Sequence, residues 1–147
     1  MTSYIPDAVR HRVIEAFGNR CSYCLAAQRY VLSKLEIERI IPVTQDGSND
    51  DVNLCLACRL CNLYISDQIE AVDPVTKVIV ALFNPHTDLE RSLPMGYGWW
   101  GTDGAIIIGV SPIGRATVEA LRLNNEIAVE VRRNWALVGW HPPSGAR

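Results

Sequence analysis

The chain has almost no surplus of charge: 14 Lys and Arg against 16 Asp and Glu leave a formal net charge of −2 over 147 residues. That balance excludes a protein that holds nucleic acid through overall phosphate neutralisation and leaves room only for a local basic patch. No apolar run approaches the ~20 residues that a bilayer crossing needs. The opening Met1-Thr2-Ser3-Tyr4-Ile5-Pro6-Asp7 lacks the basic and apolar regions of a secretory signal. The sequence therefore reads as cytoplasmic, with no membrane partner. Histidine is scarce: His11, His86 and His141 are the only three. Repeats and low-complexity segments are absent.

What is present is ordinary globular material, 48% hydrophobic and 20% charged, enough to bury a core. The length suits one domain, or a small metal-stapled core with an appended layer, and argues against two large domains. The expected organisation is residues 1–70 as an N-terminal helix plus the core, and 71–147 as an extension packed on it, forming one compact unit.

Local patterns place the elements. Pro6-Asp7 opens a helix with apolar Val9, Val13, Ile14, Ala16 and Phe17 on one side and Gly18 as the stop. Residues 35–43 alternate and are rich in β-branched side chains. With the polar turn 45–50 they predict a short hairpin, followed by a helix starting near Cys58. Residues 71–104 read as mostly irregular, with a strand at 78–83 and a glycine-rich loop at 96–101. A strand is expected at 105–110. Ser111-Pro112 then caps a helix running to about Asn124, and a last helix spans about 125–137.

Five cysteines carry the strongest signal. Without an export signal their thiols stay reduced, and Cys21-Ser-Tyr-Cys24 with Cys58-Arg-Leu-Cys61 then has the spacing of two metal knuckles. Four soft thiolates suit Zn2+ in a closed, structural site with no position left for water or substrate. The alternatives are four buried reduced cysteines, or an iron–sulfur site using the run Cys55, Cys58, Cys61. Cys55, the odd one, is expected to be a small core side chain.

Between the knuckles lie Leu35-Glu-Ile-Glu-Arg-Ile-Ile-Pro42, then Asp46-Gly-Ser-Asn-Asp-Asp-Val-Asn-Leu54, then Ala57-Cys-Arg-Leu-Cys-Asn62. In order and spacing this stretch, about Cys21 to Asp67, resembles the HNH endonuclease family. Residues 81–85 and 107–124 also look like a bacterial subgroup with a helical extension after the motif. The resemblance implies an α+β fold: a ββα-metal core stapled by a four-cysteine zinc site, with an N-terminal helix and a C-terminal strand and helical extension. It implies divalent-metal-dependent phosphodiester hydrolysis of nucleic acid, DNA in the first instance. Glu38 and Asn62 are then the candidate ligands of a catalytic divalent cation, Mg2+ or another, and Asn53 is the residue that braces the hairpin and orients the base.

Position 39, where the family has its general-base histidine, is Arg39. A guanidinium with a pKa above ~12 has no neutral form with which to take a proton. Arg39 could still clamp a phosphate. Ile65 stands where many relatives carry a lysine, which removes an expected phosphate contact. Substitutes for the base are His86, in a turn-rich loop, and Glu36, which shares a strand face with Glu38.

Two readings follow. One is an HNH-type endonuclease impaired or inactivated by Arg39. The other is a non-catalytic HNH-fold module that binds nucleic acid or protein, the latter including a second copy of the chain. Outside the motif, Arg115, Arg122, Arg132 and Arg133 interleave with Glu119, Glu126 and Glu130 and read as a solvated mixed-charge surface rather than a nucleic-acid face. Trp99 and Trp100 read as rings covering the core or an oligomer contact rather than as base-stacking platforms. All three histidines are expected at the surface.

Overall fold

A computed structural model of the chain describes residues 4–88, 98–101 and 103–143, the side chain of Trp99 excepted. The chain divides into two compact units, Met1–Ile69 and Glu70–Arg147. Helix and strand are mixed in both, as the α+β reading requires. Among the described residues no helix is long and apolar enough to cross a membrane.

The first unit opens with α1 (Asp7–Ala16), which starts after extended Pro6, carries Asp7 in its first turn and stops before Gly18 at φ 62°. Strands β1 (Glu36–Arg39) and β2 (Leu54–Ala57) pair antiparallel, and α2 (Arg59–Ile65) follows, which completes a ββα unit. The core joins Ile5 and Val13 to Leu35, Leu54 and Leu56, with Val9, Ile14, Phe17 and Ile37 packed at its margin. One face of the hairpin thus lies against α1.

The hairpin is shorter than the expected 35–43 strand, and its partner comes after a longer connection. Pro42 has no N–H to continue a ladder. Just before it, the N–H of Ile40 goes to the carbonyl of Asn53, at 2.9 Å, and that of Ile41 to the Asn53 side-chain Oδ1, also at 2.9 Å. The Asn53 amide donates in turn to the carbonyls of Ile41 (3.0 Å) and Ser48 (2.8 Å). Gly47 sits so close to the carbonyl oxygen of Ile41 that a Cβ would collide with it, so the turn admits no side chain there.

In the second unit, β3 (Glu70–Val72) pairs with β4 (Ile79–Ala81), and β5 (Gly98–Trp100) with β6 (Ile107–Gly109). The stretch read as irregular therefore contains a hairpin and a strand. Part of the expected loop, residues 96 and 97, lies outside the described residues, as does the Trp99 side chain.

Helix α3 (Pro112–Ala120) begins as expected, the Ser111 hydroxyl accepting from the N–H of Gly114 at 2.9 Å. It ends at Ala120, short of the expected Asn124, with Arg122 turning to φ 48°, and the Asn124 side chain is used elsewhere. Its amide donates to the Ile107 carbonyl at 2.7 Å and its Oδ1 accepts from the Ile107 N–H at 2.8 Å, imitating a strand partner. Helix α4 (Glu126–Leu137) follows from an Asn125 cap. Gly109 has the Arg115 backbone 2.6 Å from where a Cβ would stand, so α3 can lie directly on β6.

Two polar staples hold this unit. Asp73, fully buried, takes a two-pronged bond from Arg115, Nε at 2.8 Å and Nη2 at 2.9 Å, and also receives Thr76 Oγ1 at 2.7 Å. The Arg115 guanidinium holds the Asp73 carboxyl well below the usual carboxylate range. Arg132, 4% exposed, donates to the carbonyls of Ala105 (2.7 Å) and Leu123 (2.6 Å). The expectation of a solvated mixed-charge surface fails at Arg132, a core residue, and at Arg115, bound to buried Asp73, and holds at exposed Arg122 and at Arg133, which pairs with exposed Asp103. His141 is likewise buried at 4%, edge-on to Trp100 with ring centres 4.3 Å apart, and is no surface histidine. Trp100 is consumed in that packing.

Candidate functional site

Each cysteine pair is presented by a tight turn. The N–H groups of Tyr23 and Cys24 point at the Cys21 sulfur (3.4 and 3.5 Å), and that of Cys61 points at the Cys58 sulfur (3.4 Å), which makes Cys58 the cap of α2. The sulfurs of Cys21, Cys24, Cys58 and Cys61 all lie within 4.8 Å of one another. A tetrahedral zinc–thiolate centre with bonds of about 2.3 Å has sulfur–sulfur edges of about 3.8 Å. Cys24 and Cys58 stand 3.7 Å apart. The quartet therefore fits a zinc ion.

Electrostatics agree with the geometry. Hydrogen bonds from Cys21, Cys24 and Cys61 hold Cys58 far below the usual thiol range. The thiols of Cys24 and Cys61 are driven up, first by their hydrogen bonds with Cys21. Four sulfurs this close would repel one another as thiolates, and a central dication would offset that repulsion. Among the described residues this is the one group of three or more His, Cys, Asp or Glu whose ligand atoms converge.

Cys55 stands outside the quartet. It is fully buried, 3.7 Å from the Tyr23 hydroxyl, and burial pushes its thiol up to about 12. It is the inert core side chain that its apolar neighbours in the sequence suggest, and the iron–sulfur run through Cys55 has no convergent geometry.

The register Glu36 to Ala57, Ile37 to Leu56, Glu38 to Cys55 and Arg39 to Leu54 distributes the remaining candidates. Side chains alternate across a strand, so Glu36 and Glu38 share one face, and Ile37 and Arg39 share the other with Leu54 and Leu56. Arg39 is thus on the α1 side of the sheet. Its Nε donates to Asn49 Oδ1 at 2.8 Å, and the Asn49 amide reaches the Tyr4 carbonyl at 3.4 Å. Position 39 is pinned away from the carboxylate face.

On that face Asn62, from α2, donates its amide to Glu36, and Arg59 Nη1 donates to the other Glu36 oxygen at 3.2 Å. Asn62 thus engages the carboxylate two residues before the expected Glu38. Glu38 itself is 7% exposed and its carboxyl has no hydrogen-bond partner among the described residues. Burial, with repulsion from Glu36 and a partial offset from Arg39, raises its pKa to about 8.

Asn53 makes the contacts described above from a buried position. Ile65 is 3% exposed and belongs to the core. His86 lies in the exposed turn after Asn84 in the second unit and His11 on the exposed side of α1. Sequence reasoning missed the role of Asn49 as tether and that of Arg59 as the cover of Glu36. The period-two pairing of Glu36 with Glu38 was the available signal for the first carboxylate.

No curated protein and no solved structure matches the chain. The model of the HNH endonuclease family matches residues 21–68, which run from the first knuckle to just past α2. Both knuckles, the β1–β2 hairpin and α2 fall inside that span, so it is residues 21–68 that are similar to an HNH endonuclease domain.

Proposed function

We propose that this chain acts on nucleic acid, DNA in the first instance, through an HNH domain whose frame is intact and whose hydrolytic half is crippled. The zinc held by Cys21, Cys24, Cys58 and Cys61 is structural, because four thiolates fill a tetrahedral shell and leave no open position. Glu36, Glu38 and Asn62 offer hard oxygens of the kind that Mg2+ or a similar cation takes, and such a cation would supply charge stabilisation at a phosphate.

The observation that carries the reading is Arg39. At the position of the family's base it cannot accept a proton, and its tether to Asn49 holds it on the side of the sheet opposite Glu36 and Asn62. The face that should do chemistry is closed on itself, with the Asn62 amide and Arg59 both committed to Glu36. The same residue favours the second reading, a module that binds nucleic acid or protein without cutting.

A plasmid-nicking assay with magnesium, manganese or nickel tests this. The unaltered protein should leave supercoiled plasmid intact. Activity appearing only in Arg39→His would assign the defect to the missing base alone. Cleavage by the unaltered protein that disappears in Glu38→Ala and Asn62→Ala would sink the proposal.

A further inference from the structure

We propose that helix α1, which precedes the HNH domain, completes a phosphate track: Arg10 of α1, Lys34 of the loop before β1 and Arg59 of α2 line one open groove that takes a nucleic-acid backbone. The inference deepens the nucleic-acid reading above and rests on it. The groove has a volume of about 640 Å³, and its polar lining is Arg10, Ser33, Lys34, Glu36, Arg59 and Asn62.

Charge decides what such a groove would hold. Three cations face a single carboxylate in it, while the chain as a whole carries −2. A locally positive trough on an acidic chain attracts a polyanion where the rest of the surface repels it. The three cations come from segments far apart in sequence, so their convergence is a product of the fold.

Arg10 and Lys34 make no ion pair among the described residues, and Arg59 keeps its guanidinium at the surface beside Glu36. Arg59 is 75% exposed and touches Glu36 through one nitrogen. Lys34 is exposed and has no partner among the described residues. Arg10 is anchored at its Nε, which donates to the Ile5 carbonyl at 3.3 Å, and its two terminal nitrogens have no partner among the described residues. An arginine held at the root of its fork gives up less conformational freedom when a phosphate arrives. Asn62 and Glu36 line the same groove, so a backbone lying on the three cations also borders the candidate cation-binding face.

Binding of a short fluorescent DNA duplex, followed by anisotropy across a salt series, tests the assignment. Arg10→Ala and Arg59→Ala should each weaken binding several-fold and reduce the slope of log K against log salt by about 0.9, one phosphate contact apiece. The triple variant with Lys34→Ala should lose about three times that slope. Arg10→Lys should keep most of the affinity, which separates a lost charge from a disturbed helix, and Lys77→Ala in the second unit should change nothing.

Firm binding with the same affinity and slope in Arg10→Ala and Arg59→Ala would overturn the groove while leaving the nucleic-acid reading standing. Failure of the unaltered protein to bind DNA or RNA at low salt would remove that reading, and the groove with it.

Discussion

The two units of this chain solve one problem with different materials. Below about 70–80 residues a hydrophobic core by itself rarely stabilises a fold, and staples are needed. Met1–Ile69 gathers four sulfurs within 4.8 Å of one another, an arrangement that fits a metal ion. Glu70–Arg147 uses no metal group among its described residues and relies instead on two arginines, Arg115 on a fully buried carboxylate and Arg132 on two carbonyls. The difference teaches where each unit is vulnerable: the first to chelation, the second to loss of a guanidinium or of a single negative charge.

The sharpest way to separate the two is to take the metal away. Structural zinc in small sites contributes on the order of 10 kcal/mol to folding. A strong chelator, or Cys61→Ser, should therefore abolish amide exchange protection in the first unit and leave protection in β6, α3 and α4. Next, Arg132→Ala should cost about 3 kcal/mol, since two buried carbonyls lose charged donors worth about 1–3 kcal/mol each. A thermal melt should show it, with bound metal per chain unchanged.

Acid offers a graded version. The folded Asp73 carboxyl is held below its unfolded value, so its contribution is present above about pH 4 and is lost as pH falls through and below that point. Exchange protection in the second unit should decline over that window, and Asp73→Asn should flatten the decline while lowering stability at neutral pH. The first unit loosens in acid for its own reason, release of metal from protonated thiolates, so the readout must be resolved by residue. The smallest effect should come from Ser111→Ala, about 1 kcal/mol from loss of the α3 cap and confined to the second unit.

How much of this could be read beforehand follows the same division. The cysteine quartet was legible because knuckle spacing is local and its chemistry leaves few options. The start of helix α3 was legible through Ser111-Pro112, a cap written into adjacent residues. Strand β3 was not, since three residues with only Ala71 partly buried show no alternation to detect. The Asp73–Arg115 pair joins side chains distant in sequence, which no local pattern marks. Arg132 did leave a trace, because it lies three residues after the buried Val129 and so shares its face of α4.

The candidate site was half legible. Glu36, Glu38, Arg39, Asn53 and Asn62 could be picked by spacing, but which of them meet depends on strand register and on where α2 begins. Those choices are made by packing against Cys55, Leu54 and α1 rather than by any local motif.

Cys58 has a double duty whose consequence reaches past stability. Its sulfur is at once a corner of the quartet and the cap from which α2 starts, and α2 carries Arg59 and Asn62. Loss of that one sulfur would therefore strike a corner of the quartet and the first turn of the helix together.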